Sequence, residues 1–161
     1  MTVDILALVR ILADARVDHI IVGGVAASIH GALRTALDLD IAYDRSPGNI
    51  ARLVRALAPY EPYPRGAPPG LPFTWDDATV RQGLNFTLTT TLGDLDLLGE
   101  VAGGGGYQPL VEHAEQIELE GRRCLVVTLE TLIWLKRAAG RPKDREALAE
   151  LEALLEERDR Q

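Results

Sequence analysis

The sequence predicts an α+β fold, a mixed β-sheet flanked by helices with a C-terminal helical extension. Three observations predict it. Segments of helical and strand periodicity are interleaved along most of the chain. Two pairs of strand-like segments are joined by short turns, so part of the sheet is antiparallel. Beyond about residue 128 the apolar spacing is helical only. The 161 residues suit one domain over 1–161, with a core at about 19–127 and a helical part at about 128–158.

Asp4–Arg16 reads as a helix, because Ile5, Leu8, Leu12 and Ala15 recur at helical spacing. His19-Ile20-Ile21-Val22 is a β-branched run that stops at Gly23-Gly24, the pattern of a buried strand ended by a tight turn. Val25 to Leu33 is small and apolar and predicts a helix packed on the sheet. Leu37 to Tyr43 alternates, with Leu37, Leu39 and Ile41 on one face and Asp38, Asp40 and Ala42 on the other. Ser46 and Pro47 are a predicted cap and first residue of a helix that runs to about Ala58.

Pro59–Pro72 holds six prolines and two glycines and reads as a loop. Leu84–Thr91 is a Thr-rich alternating strand, turned by Leu92-Gly93-Asp94 into a second strand, Leu95–Leu98. Gly103–Gly106 is a flexible loop. Glu115–Leu119 and Arg122–Val127 flank Glu120-Gly121, a hairpin signal. Thr128 caps a helix through Arg137, and Asp144 to about Arg158 is a last helix with Leu148, Leu151, Leu154 and Leu155 on one side.

Composition narrows the function classes. Seventeen basic against 24 acidic residues give a net charge of −7. That opposes a general nucleic-acid-coating role, which needs an excess of Lys and Arg, but leaves room for a local contact with RNA. A single cysteine, Cys124, excludes a disulfide framework and any zinc site with several cysteine ligands. Met1–Arg10 lacks the features of a signal peptide and no run is long enough to span a membrane, so the predicted compartment is the cytoplasm.

Three features carry chemistry. Gly23-Gly24 lies at a strand-to-helix turn, where backbone N–H groups can approach an anion with no Cβ in the way. Asp38-Leu39-Asp40 places two carboxylates on one strand face, roughly 7 Å apart at the backbone. Like charges so close call for a cation between them, and hard oxygen ligands suit Mg²⁺; a merely solvated strand face is the alternative. Asp96 repeats the pattern of a carboxylate in an apolar strand. If its strand adjoins the first, three carboxylates converge and can hold two divalent ions ~4 Å apart, as phosphoryl transfer uses them. Asp94 is better explained as a turn residue bonded to local backbone.

Taken together, Ile20-Ile21-Val22-Gly23-Gly24, Asp38-Leu39-Asp40-Ile41 and Leu95-Asp96-Leu97-Leu98 resemble the nucleotidyltransferase superfamily of polymerase-beta type. The likeness extends to small bacterial nucleotidyltransferase-like proteins of the abortive-infection toxin group, through Arg34-Thr35, Lys136 and Arg141-Pro142-Lys143-Asp144. The resemblance spans about residues 19 to 155 and implies the nucleotidyltransferase fold. It implies Asp38, Asp40 and Asp96 as catalytic residues and metal ligands, for Mg²⁺ or Mn²⁺. Gly23 and Gly24 would cradle a nucleoside triphosphate, Arg34 would neutralise its phosphate charge, Lys143 would contact a phosphate or the acceptor, and Asp144 would orient a neighbour. The acceptor could be a tRNA, a protein or a small molecule, and a cognate toxin–antitoxin partner fits the same group; a dimer using the Leu-rich last helix as its interface is compatible with either an enzyme or a binding protein. Val25 stands where the superfamily often has serine, which motivates a second reading: a binding or regulatory protein that keeps the fold without turnover.

Other residues have plainer explanations. Arg34 can instead pair with Asp38, and Asp144 can simply cap its helix while Lys143 is a surface charge. His30 is expected to be packed or at the surface, Trp75 and Trp134 to sit in the core or line a cleft, and Cys124 to be a buried small hydrophobe.

Overall fold

The computed structural model describes residues 4–161. The leader-free reading of Met1–Arg10 therefore falls partly outside the described residues. Seven strands form one sheet in the order β3-β4-β5-β2-β1-β7-β6. The strands are β1 (His19–Val22), β2 (Asp38–Tyr43), β3 (Tyr63–Pro64), β4 (Asn85–Thr90), β5 (Gly93–Leu98), β6 (Ala114–Leu119) and β7 (Arg122–Val127). β2 runs parallel to β5 and β1 parallel to β7, while every other neighbouring pair is antiparallel. The mixed sheet is thus as expected.

The helices are α1 (Ile5–Asp14), α2 (Gly23–Ile29), α3 (Pro47–Leu57), α4 (Asp77–Gln82), α5 (Tyr107–Val111), α6 (Leu129–Ala139) and α7 (Asp144–Asp159). α1 starts where Asp4 accepts the Ala7 N–H at 3.0 Å, and it buries Leu8, Val9 and Leu12. Leu39, Ile41, Leu95 and Leu97 are fully buried in the two central strands. Removing such side chains from water contributes ~1.5–3 kcal/mol each, so the spacing of two in β2 and β5 is strongly fixed. The opposite face of those strands carries the carboxylates. α6 packs against α2 and α7, and Leu151 of α7 joins the same core.

Several local expectations are corrected. α2 begins at Gly23 itself and ends at Ile29, short of Leu33, because Gly31 at φ 111° breaks it. Leu37 lies outside β2 and is exposed. Ser46 makes no cap bond; its hydroxyl donates to Asp44 instead. The Pro59–Pro72 run is not all loop. Ala58–Tyr60 forms a 3₁₀ turn, and Tyr63-Pro64 adds an edge strand to β4, a position where a missing N–H is tolerated. α4 and α5 were not anticipated, although Asp76 caps α4 by accepting the Thr79 N–H at 2.8 Å. The hairpin at Glu120-Gly121 forms, with φ of 52° and 75°. Among the described residues no helix is long and apolar enough to cross a membrane.

Candidate active site

Parallel pairing of β2 with β5 sets Asp38 opposite Asp94 and Asp40 opposite Asp96. Directly paired residues share a face, so four carboxylates project on the same side. One oxygen each from Asp38, Asp40 and Asp96 lies within 4.8 Å of the other two. Asp40 is more enclosed than Asp38, and its Oδ1 is buried without a hydrogen-bond partner. Burial pushes its carboxyl up to about 8, with Asp38 and Asp96 adding repulsion and Lys136 opposing. Asp38 is also raised, by burial and then by Asp96, against the pull of Arg65. An orphaned buried oxygen beside two further carboxylates fits a hard divalent cation such as Mg²⁺ or Mn²⁺.

This cluster makes stability depend on pH. A carboxyl raised in the fold contributes stability that is complete below its unfolded value of 3.8 and is lost as pH rises through about 8. Melting in EDTA is therefore expected to weaken steadily from mildly acid to mildly alkaline pH. Added Mn²⁺ should restore the most stability at the alkaline end, where no proton competes for Asp40. The same profile in an Asp40→Asn variant would contradict this assignment.

Gly23 explains why Asp40 can sit there. Its φ is +67°, and a Cβ at that position would land on the Asp40 Oδ2. Gly24 has ordinary space, with Ala36 Cβ 3.5 Å away. Gly23 is thus required for close packing at the end of β1, whereas Gly24 is not.

Two clefts meet at Asp40, Lys136 and Arg141. One, of about 390 Å³, is bordered by Arg34, Asp38, Asp96 and Lys143. The other, of about 400 Å³, is bordered by Gly23, Leu98, Val101, Leu132 and Leu135. The first is charged and the second largely apolar.

Lys136 and Arg141 are held by Asp144. Its carboxylate accepts from Lys136 Nζ at 3.3 Å and from Arg141 Nε at 2.8 Å, and its side chain is only 5% exposed. Burial alone would raise Asp144, but these bonds outweigh it and hold it low. Asp144 is therefore no helix cap: the cap position falls to Lys143, and it makes no side-chain cap bond. Asp144→Ala is expected to cost about 2–3 kcal/mol in urea unfolding, below the usual loss for a fully buried pair because Arg141 is half exposed. A loss under about 0.5 kcal/mol, the range of ordinary surface substitutions, would rule out this pinning role.

Other expected residues fall elsewhere. Arg34 pairs neither with Asp38 nor with the other carboxylates; it meets Glu146 of α7 at 2.8 Å while bordering the charged cleft. Lys143 borders the same cleft from its rim. Asp94 belongs to β5 and to the carboxylate face, not to a turn. His30 packs α2 on β7 through Nε2 at 2.7 Å from Val127 O. Trp75 is half-buried, and Trp134, 62% exposed, lines a separate cleft as expected and donates to Gly103 O. Cys124 is buried as expected.

The residue missed entirely is Arg65. Its Nη2 donates to Asp96 Oδ1 at 2.8 Å, and its Nη1 lies 3.8 Å from Asp38 Oδ2. Its Nε is 3.3 Å from Asp94 Oδ2, in ion-pair contact but poorly aligned for a hydrogen bond. Nothing in the local sequence could have revealed this, because the pairing depends on β3 docking beside β4.

No protein-family model and no curated protein matches the sequence. Solved structures do match, along nearly the whole chain. A presumed nucleotidyltransferase from Thermotoga maritima superposes with a TM-score of 0.59 at 15% identity, covering 92% of this chain and 93% of its own. The lincosamide antibiotic adenylyltransferase LnuA, bound to lincomycin, superposes with a TM-score of 0.60 at 13% identity, covering 93% and 95%. The chain has the nucleotidyltransferase fold. Within that nucleotidyltransferase fold, the carboxylates on β2 and β5 and the cations on and after α6 face one another across the junction of the two clefts.

Proposed function

We propose that the protein is a nucleotidyltransferase that moves a nucleoside monophosphate from a nucleoside triphosphate to an acceptor hydroxyl, using Mg²⁺ or Mn²⁺. The observation that carries this reading is the convergence of Asp38, Asp40 and Asp96 on one face, with the buried Asp40 Oδ1 unpartnered. Those three side chains would hold the ion, which supplies charge neutralisation and polarises the phosphoryl group.

The chain's own residues do the positioning. Lys136 and Arg141, pinned by Asp144, offset the charge of the triphosphate. Arg34 and Lys143 extend that positive border at the rim. Gly23 and Gly24 offer backbone amides free of side chains. Asp96 assists removal of the acceptor's proton as its oxygen bonds to the α-phosphorus. The bond from that phosphorus to the bridging oxygen breaks, and pyrophosphate leaves. Catalysis by such parts is placement and charge stabilisation.

The charged cleft suits phosphates, and the apolar cleft suits the organic part of a substrate. A volume of about 400 Å³ lies in the range of small-molecule sites. With lincomycin bound in one protein of similar fold, a small hydroxylated acceptor is favoured over a tRNA or a protein. A cytoplasmic setting and a role beside a cognate toxin–antitoxin partner are compatible with this chemistry. The test offers each α-labelled nucleoside triphosphate with Mg²⁺ to the protein together with small-molecule, RNA and protein fractions of a cell extract. Label should enter one fraction and require Asp40.

One observation favours a second reading, a binding or regulatory protein without turnover. Arg65 already sets a positive charge against Asp38 and Asp96. Absence of transfer from all four nucleotides, with the fold intact, would support it.

A further inference from the structure

Arg65 lies in the proline-rich segment and is used by none of the chemistry above. Its backbone N–H donates to Thr87 O at 2.9 Å, which ties its Cα to the edge of the sheet. From there the side chain crosses β4. Nη2 donates both to Leu88 O and to Asp96 Oδ1 at 2.8 Å, and the other guanidinium nitrogens face Asp94 and Asp38. With 28% of its side chain exposed, this charge is only partly screened by water. Two of the three carboxylates that would hold a divalent ion therefore face a cation already.

We propose that Arg65 is a resident counter-cation that competes with divalent metal for Asp96 and Asp38, and so sets how tightly the substrate-free site binds metal. This rests on the metal-dependent reading given above. An entering ion must share Asp96 with the guanidinium or displace it. Sharing places like charges a few ångströms apart, where repulsion is strong at low dielectric, and displacement breaks the ion pairs that Arg65 makes with Asp96 and Asp38. The same contact lets four carboxylates share one face of a folded sheet, since Arg65 balances the charge that Asp94 and Asp96 add. Arg65 acts through the carboxylates and is a positioning residue.

The test measures Mn²⁺ binding by the whole protein, without nucleotide, from the resonance signal of the free ion. Arg65→Gln should bind Mn²⁺ at least about tenfold more tightly than the unmodified chain, and Arg65→Lys, which keeps the charge, should stay within about threefold. In EDTA the Gln variant should melt lower, and Mn²⁺ should raise its melting temperature by more. If Arg65→Gln fails to fold, the same comparison is made in an Asp94→Asn background, which removes one of the repelling charges. Equal or weaker Mn²⁺ binding by the Gln variant overturns the proposal. No binding by any form at millimolar Mn²⁺ overturns both this proposal and the metal-dependent reading. Tighter binding by Arg65→Gln in a protein that transfers no nucleotide upholds the counter-cation and sinks only the transferase reading.

Discussion

Asp40→Asn is expected to lower nucleotidyl transfer by on the order of a thousandfold while leaving the fold intact. Asn keeps the shape of Asp and removes the charge that a divalent ion needs. The same change should make the metal-free protein more stable at alkaline pH, by about 1–2 kcal/mol. Asp40 is largely buried, its Oδ1 has no partner, and Asp38 and Asp96 repel it. An amide there donates to a neighbouring carboxylate instead. Urea unfolding in EDTA at about pH 8.5 checks the gain, and label transfer checks the loss. A variant that loses both activity and stability would mean that Asp40 holds the fold together and that its chemistry has been misjudged.

Gly23→Ala is expected to have the next largest effect. At φ +67° an L side chain is strained, at a cost of roughly 1–2 kcal/mol. The added methyl would also occupy the space of the Asp40 Oδ2. The carboxylate must turn away or the β1–α2 junction must shift. A misplacement of this kind near reacting groups typically lowers rate by about a hundredfold. Gly24→Ala is the control for the fold, because its nearest neighbour outside the local chain is at ordinary contact distance, so its stability should be unchanged. If both alanine variants behave alike, the close approach of Gly23 to Asp40 is not what matters.

The central part of this arrangement was legible because it obeys a short period. Alternation in Leu37–Tyr43 and in Leu95–Leu98 sorts apolar residues from carboxylates, and burial of Leu39, Ile41, Leu95 and Leu97 fixes that sorting. The parts that were not legible depend on contacts between distant segments. Arg34 has Asp38 four residues away, yet it meets Glu146 on α7, because the loop after α2 lies against that helix. Asp144 has the look of a helix cap, yet a proline-containing turn brings Arg141 and Lys136 to it. Arg65 was hidden for a related reason. Prolines mark its segment as irregular, but an edge strand can spare the N–H groups that proline lacks, and two residues of pairing suffice to aim the side chain.

The parallel pairing of β2 with β5 also fixes when the acidic face comes into being. Its two halves are far apart in the chain, and α3, β3, α4 and β4 must be made between them. Closing so long a connection precedes the reward of the contact. A growing polypeptide that has left the ribosome only as far as β4 carries Asp38 and Asp40 without their third companion, and it also lacks the lysine and arginine that come with α6. Any capture of a cation by the three carboxylates therefore awaits the finished molecule, and protection of the β2–β5 ladder from hydrogen exchange should arise late.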